Sequence, residues 1–272
     1  MTAVLKSAGV SVSFGGVRAV VDVDLEVEAG QLVGLIGPNG AGKTTFIDAI
    51  SGFVRAKGKV EIDGEELTGL GPHRRAQRGL VRTWQSIELF DDLTVGENLL
   101  VAAHNPSLRR TLRELVTPPA AGLAEILPAL ELLGLEATVD ELPGDLSQGQ
   151  RKLVGIARAL VARPRLLCLD EPAAGLDTHE SEELGRRLRK LVDGGQSMLL
   201  VDHDMGLVLG ICDRIVVLEF GEVIARGAPE AVRRDERVIS AYLGGAAAEL
   251  ARGALDSAAD ARTENAVERD RG

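Results

Sequence analysis

Residues 1–30 alternate between apolar and polar positions with the period-two pattern of antiparallel strands covered on one face. Val10, Val12 and Phe14 share one face. Val21, Val23, Leu25 and Val27 share another, with Asp22, Asp24, Glu26 and Glu28 turned to solvent. At Gln31–Ile36 the alternation gives way to a short apolar run, as expected of a buried strand. Thr44–Ile50, closed by Gly52, reads as the start of a helix, and Lys59–Ile62 with Asp63-Gly64 predicts another strand and a tight turn.

From about Asp91 to Leu142 the pattern becomes helical. Thr94-Val95-Gly96-Glu97 is a capping box that opens one helix, and Ser107–Val116 is a second, stopped by Pro118-Pro119. Leu123, Ile126, Leu127, Leu130 and Leu133 line one face of a third, where Pro128 predicts a kink or break. Beyond Ser147 the order is helix, strand, helix, strand, with strands at Leu166–Asp170 and Ser197–Asp202 suited to a parallel sheet covered on two faces. Ile215–Leu218 and Glu222–Ala225 predict a closing hairpin across Glu219-Phe220-Gly221. No internal repeat is present. The expected architecture is α/β: a mostly parallel sheet core, an N-terminal antiparallel β subdomain and a helical subdomain at about 91–150 inserted in the core. Residues 1–245 form this domain. Residues 246–272, rich in Ala, Asp, Glu and Arg, read as a disordered tail.

Composition narrows the function. The chain has 272 residues, enough for one substantial core, and its 3% aromatic content means that Leu, Val, Ile and Ala must fill that core. Cys168 and Cys212 form no framework. Cys168 lies in an apolar run as a small hydrophobe, and both fit a reducing cytosol. Met1–Val10 lacks the apolar region of a secretory signal, and no segment approaches the roughly 18 consecutive apolar residues of a membrane span. A role at a membrane would therefore require other subunits. A net charge of −10 argues against nucleic acid as a partner, and the cluster Arg74, Arg75 and Arg78 reads as a solvated face.

Gly37-Pro38-Asn39-Gly40-Ala41-Gly42-Lys43-Thr44-Thr45 fits G-x-x-x-x-G-K-[ST], between an apparent strand and an apparent helix. That context identifies a phosphate-binding loop of the P-loop NTPase kind. Glycines let successive backbone N–H groups face an anion, and the helix N-terminus adds partial positive charge. Lys43 is placed to reach the β/γ-phosphates of a nucleoside triphosphate, and the Thr44 hydroxyl to bind Mg²⁺.

Leu166-Leu167-Cys168-Leu169-Asp170-Glu171 ends a buried strand with two adjacent acids. Alternation along a strand gives neighbours different surroundings. Asp170 is placed to hold Mg²⁺, directly or through water, and Glu171 to orient and polarise a water for attack on the γ-phosphate. An acidic strand end facing solvent is the plainer alternative, disfavoured by the preceding phosphate loop. In Leu146-Ser147-Gln148-Gly149-Gln150, Ser147 caps a helix and Gln150 completes a capping box, with Leu153, Ile156, Ala157, Leu160 and Val161 as the apolar face. This helix start serves equally as a core-helix cap or as a presenter of donors to phosphate.

Taken together, Leu-Ser-x-Gly-Gln, the strand ending Asp-Glu-Pro, Ala174-Gly175-Leu176-Asp177 and Asp202-His203-Asp204 resemble the ATP-binding-cassette ATPases, over roughly residues 4–243. The resemblance implies a head-to-tail dimer, homomeric or with a paralogous subunit. Each of two ATPs would lie between the phosphate loop of one copy and Ser147, Gln148 and Gly149 of the other. It also implies that Phe14 stacks on adenine, that His203 contacts the γ-phosphate and positions Glu171, and that Asp177 links the two sites. Gln85 would join core to helical lobe and face the metal and the reacting water. Gln148 departs from the usual glycine of this motif, where a side chain bears on the approach of the opposing phosphate.

Phe14-Gly15-Gly16-Val17, Gly79–Gln85, Glu171–Leu176, His203-Asp204-Met205 and Val238–Gly244 resemble ATPase subunits of branched-chain amino acid importers. Related subunits serve importers of other small solutes. The implied assembly has two transmembrane permease subunits and a solute-binding protein, with this chain cytoplasmic and peripheral on the inner face of the plasma membrane. Ser86–Phe90 would lie near the groove for a permease helix. A lipid or polysaccharide exporter motor shares every catalytic residue. A soluble ATPase of DNA repair or translation is disfavoured by the single cassette and the absence of sustained heptads.

Overall fold

The computed structural model describes residues 2–84, 88–103 and 120–243. The expected helix Ser107–Val116, residues Gln85, Ser86 and Ile87, and the tail 246–272 lie outside them. In chain order the elements are β1 (Ala3–Phe14), β2 (Val17–Glu28), β3 (Leu32–Ile36), α1 (Lys43–Ser51), β4 (Lys57–Ile62), β5 (Glu65–Glu66), α2 (Pro72–Gln77) and β6 (Leu80–Arg82). Then follow α3 (Val95–Ala103), α4 (Ala120–Leu133), α5 (Gln148–Val161), β7 (Leu166–Asp170), α6 (Thr178–Asp193), β8 (Ser197–Val201), α7 (Met205–Ile211), β9 (Arg214–Glu219), β10 (Glu222–Gly227), α8 (Pro229–Arg233) and α9 (Glu236–Leu243).

The strands form two sheets. One is antiparallel with order β2-β1-β4-β5; the other has order β10-β9-β3-β8-β7-β6 and is parallel except for its β10 edge. All five residues of β3, β7 and β8 are buried, which is why these strands read as continuous apolar runs. Alternate residues feed opposite faces. Val33, Leu35, Cys168, Leu199 and Val201 pack with the antiparallel sheet and α1. Leu32, Ile36, Leu167, Leu169, Met198 and Leu200 pack with the helices on the other side. The second cluster continues into Val95, Leu99, Ile126 and Leu130, so the helices between β6 and β7 share hydrophobic packing with the sheet.

Three expectations need correction. Along β2 the alternation slips, so that Val20 is buried and Val21 only half-buried. The cause is a bulge. Asp22 has φ 52°, and side chains take over ladder bonds, with the Asp22 N–H donating to Ser11 Oγ (2.9 Å) and the Gly9 N–H to Asp24 Oδ1 (2.7 Å). Second, of the kink or break expected at Pro128, the break is absent, because α4 runs continuously through the proline. That residue is exposed, and Ile126 and Leu130 are buried on either side of it, so packing holds the helix where one backbone bond is lost. Third, the basic cluster is not wholly solvated. Arg75 is buried and donates to the carbonyls of Ala49 (3.0 Å), Ile50 (2.6 Å) and Leu70 (2.9 Å), thereby capping the C-terminus of α1.

Candidate functional site

The phosphate loop joins the buried strand β3 to α1, and two glycines are obligatory there. Gly37 has φ 153°, and a Cβ would lie 2.1 Å from the Leu218 carbonyl oxygen. Gly42, the N-cap of α1, has φ 101°, and its Cβ would lie 2.4 Å from the Ala19 carbonyl oxygen. The β9–β10 turn braces the loop: the Gly221 N–H donates to Ala41 (2.9 Å), and the Val21 N–H donates to Gly221 (2.8 Å). Asn39, Gly40, Ala41, Gly42, Lys43, Thr44 and Thr45 line a pocket of about 200 Å³ together with Ala19 and Glu171. Lys43 is buried, and its Nζ donates to the Gly37 (2.7 Å) and Pro38 (3.2 Å) carbonyls. Burial lowers the Lys43 pKa from its ordinary value, partly offset by Glu171, Asp170 and Asp202.

The acidic wall comes from β7 and β8. Asp170, the last residue of β7, is buried, and Glu171 follows with φ 47°, a conformation uncommon for a residue with a Cβ. A backbone bond from Glu171 N–H to Val201 (2.7 Å) holds it there. Such strain concentrates at functional positions. The His203 Nδ1 lies 3.8 Å from Glu171 Oε2 and 3.7 Å from Asp202 Oδ1. Asp202, fully buried, organises this corner by accepting from the N–H groups of His203 (2.7 Å), Asp204 (3.0 Å) and Ala173 (3.1 Å). Asp204 caps α7 and accepts from Ser181 Oγ (2.8 Å) on α6.

Ser147 stands elsewhere. It caps α5 with the reciprocal Gln150 bonds of a capping box (2.9 and 3.2 Å), and Asp177 caps α6 in the same way with Glu180. Ser147 and Gly149 line a separate depression of about 210 Å³ with His179, Glu180 and Arg187. Gln148 folds its side chain against Gly175, where a Cβ would meet its Nε2 at 2.7 Å. Within one chain, then, Lys43, Thr44, Thr45 and Glu171 share a pocket, whereas Ser147, Gln148, Gly149 and Asp177 do not join them. Phe14, half-exposed at the end of β1, is outside the pocket lining, and Gln85 lies outside the described residues.

Thr44 brings a hard oxygen donor to the pocket lining, and the Asp170 carboxylate, outside that lining, lies near enough to Lys43 to offset part of the lowering of its pKa. Among the described residues no cluster of three or more His, Cys, Asp and Glu is arranged to hold a metal. Hard oxygen donors such as those of Thr44 and Asp170 fit Mg²⁺, which binds through one or two protein oxygens, substrate phosphates and water. Sequence reasoning named Asp202 only as part of the Asp202-His203-Asp204 motif and missed its role, which appears as converging N–H groups. It also missed Arg82, which bridges Asp48 and Asp170 across three elements.

A family profile described as "ABC transporter" matches residues 20–174, and one described as "Branched-chain amino acid ATP-binding cassette transporter" matches residues 222–248. The chain is 41% identical over 256 residues to the high-affinity branched-chain amino acid transport ATP-binding protein BraF of Pseudomonas aeruginosa, covering 89% of this chain and 98% of that protein. It is 37% identical over 242 residues to the lipopolysaccharide export system ATP-binding protein LptB of Haemophilus influenzae, covering 89% and 97%. The fold superposes on the ADP conformation of an ATP-binding cassette of an ABC transporter with a TM-score of 0.78 and 31% identity, over 90% of this chain and all of that one.

Proposed function

From the premise that this chain belongs to the ABC transporter ATPase family, we propose that it powers uptake of branched-chain amino acids or a related small polar solute through two permease subunits and a solute-binding protein. ATP binding and hydrolysis coupled to transport belong to the family as a whole. The phosphate-loop pocket shared with Glu171 carries the catalytic reading. Importer and exporter motors share such a pocket, so the choice rests on the C-terminal segment, where residues 222–248 match the branched-chain profile. Among the described residues no helix is long and apolar enough to cross a membrane; in this reading the permeases hold the chain at the inner face.

In this reading the backbone N–H groups of Gly40–Thr45 receive the phosphates, and Lys43 exchanges its carbonyl contacts for the β/γ-phosphate oxygens. Thr44, Asp170 and Gln85 would hold Mg²⁺, which neutralises charge on the phosphates when bound. Glu171 orients a water in line with the γ-phosphorus. The water oxygen bonds to phosphorus as the bond to the β–γ bridging oxygen breaks, giving ADP and phosphate. His203 steadies the Glu171 carboxylate and faces the γ-phosphate, and Phe14 supports the adenine. Residues 1–245 act as the cassette, with about 91–150 as its helical subdomain.

Ser147, Gln148 and Gly149 are separated from the phosphate loop within one chain, so this reading has a second copy or a paralogous subunit supplying them head to tail, with Asp177 at the seam. The test is uptake in cells: tagged chain should copurify with two multi-span membrane proteins, and Lys43→Ala should abolish leucine import. Normal import in that strain, with the variant protein present, would exclude this assignment.

A further inference from the structure

Arg82 ends β6 with its side chain only 3% exposed, and it spends its two terminal nitrogens on carboxylates from two other elements. Nη2 donates to Asp170 Oδ2 at 2.6 Å, at the end of β7, and Nη1 pairs with Asp48 Oδ1 on α1. Nε is buried without a hydrogen-bond partner, so among the described residues the guanidinium makes its hydrogen bonds through the fork of terminal nitrogens. Trp84 lies over the guanidinium at 4.4 Å and Phe53 flanks it at 5.9 Å, the two rings meeting edge to face with centroids 4.8 Å apart. The β6–β7 register, which pairs Arg82 with Cys168, and the Thr83 N–H bond to the Cys168 carbonyl (2.9 Å) fix the backbone from which the side chain springs.

Asp48 sits one helical turn after Thr44, so the Asp48–Arg82–Asp170 bridge sets the separation between the start of α1 and the end of β7. We infer that Arg82 is a positioning residue for Asp170, holding that carboxylate at the distance from Thr44 at which the two can share a nucleotide-bound divalent cation. The inference rests on the metal-facing reading of Asp170 given above. Charge alone does not meet the requirement. An ammonium is a point charge and cannot grip two carboxylates in a fixed plane, whereas a guanidinium fork can. Arg82→Lys therefore keeps the charge and removes the geometry.

The experiment is calorimetric binding of ADP to the full chain with Mg²⁺ and again with EDTA, for wild type, Arg82→Lys, Asp48→Asn and Asp170→Asn. In Asp170→Asn the gain in affinity from Mg²⁺ should disappear. In Arg82→Lys that gain should shrink by about tenfold or more, the size usual when a group orienting a metal ligand is lost. EDTA affinity should stay within about twofold of wild type, since the phosphate loop is untouched. Asp48→Asn should move the same way by less, and it carries the test if Arg82→Lys does not fold. Loss of the Mg²⁺ gain in Asp170→Asn alone, with the other two variants like wild type, overturns the role of Arg82. A full Mg²⁺ gain in Asp170→Asn overturns the metal reading of Asp170 and the inference with it.

Discussion

Glu171 combines a carboxylate at the phosphate-loop pocket with a backbone φ of 47°, held by its N–H bond to Val201. If it orients and polarises the attacking water, Glu171→Gln removes the negative charge and basicity of the carboxylate while keeping shape. Steady-state hydrolysis should then fall by roughly 10²- to 10⁴-fold with ATP affinity nearly unchanged. Turnover close to wild type would take Glu171 out of the mechanism. At the other end of the chain, burial pushes the Tyr242 hydroxyl up to about 12, with the Gly37 backbone opposing the shift, and the hydroxyl has no well-formed hydrogen bond. The folded state thus keeps its proton where the unfolded chain, near the ordinary value of 10.0, loses it. This contribution to stability is complete below pH 10 and is lost as pH rises toward about 12. Tyr242 is the only tyrosine, so phenolate absorbance should report this titration directly. Ionisation near pH 10 in the folded protein would show that the ring is not enclosed.

At the scale of elements, much was legible because the sequence carries local signals for it. The capping boxes at Thr94 and Ser147 form as read, since each needs only residues three apart. Gly52 ends α1 with φ 84°, and Asp63-Gly64 turns the chain between β4 and β5. What sequence did not disclose depends on contacts distant along the chain. Arg75 looked solvated because nothing nearby announces that it reaches the carbonyls at the end of α1. Pro128 read as a kink or break because the packing that carries the helix through it comes from other helices. The phosphate loop was plain from spacing, whereas the Arg82 bridge joins β6, α1 and β7 and has no local pattern. Arg75→Met should strip the end of α1 of these bonds and lower stability by about 1–3 kcal/mol, measured by denaturant unfolding. An unchanged midpoint would mean that water replaces the guanidinium without loss.

For the molecule as a whole, the separation of Ser147 from the phosphate-loop pocket makes a single chain an incomplete site under the proposed mechanism. Glu171→Gln with MgATP should therefore double in mass by light scattering, and Ser147→Arg in the same background should stay monomeric. A monomer in both cases would refute the shared site for identical chains and leave only pairing with a paralogue. Truncation after residue 245 should leave ATPase activity within about twofold, because the sequence beyond it has few large apolar residues to add to a packed core. A larger loss would assign the tail a part in the cassette.

The chain has a single tryptophan, and it lies against the guanidinium that ties Asp170 to α1. Indole emission depends on nearby charge and solvent access, so this one ring is a built-in optical gauge of the bridge. Unlabelled protein excited near the red edge of tryptophan absorption should change colour or brightness as nucleotide and metal load, giving a stopped-flow signal for that corner of the molecule.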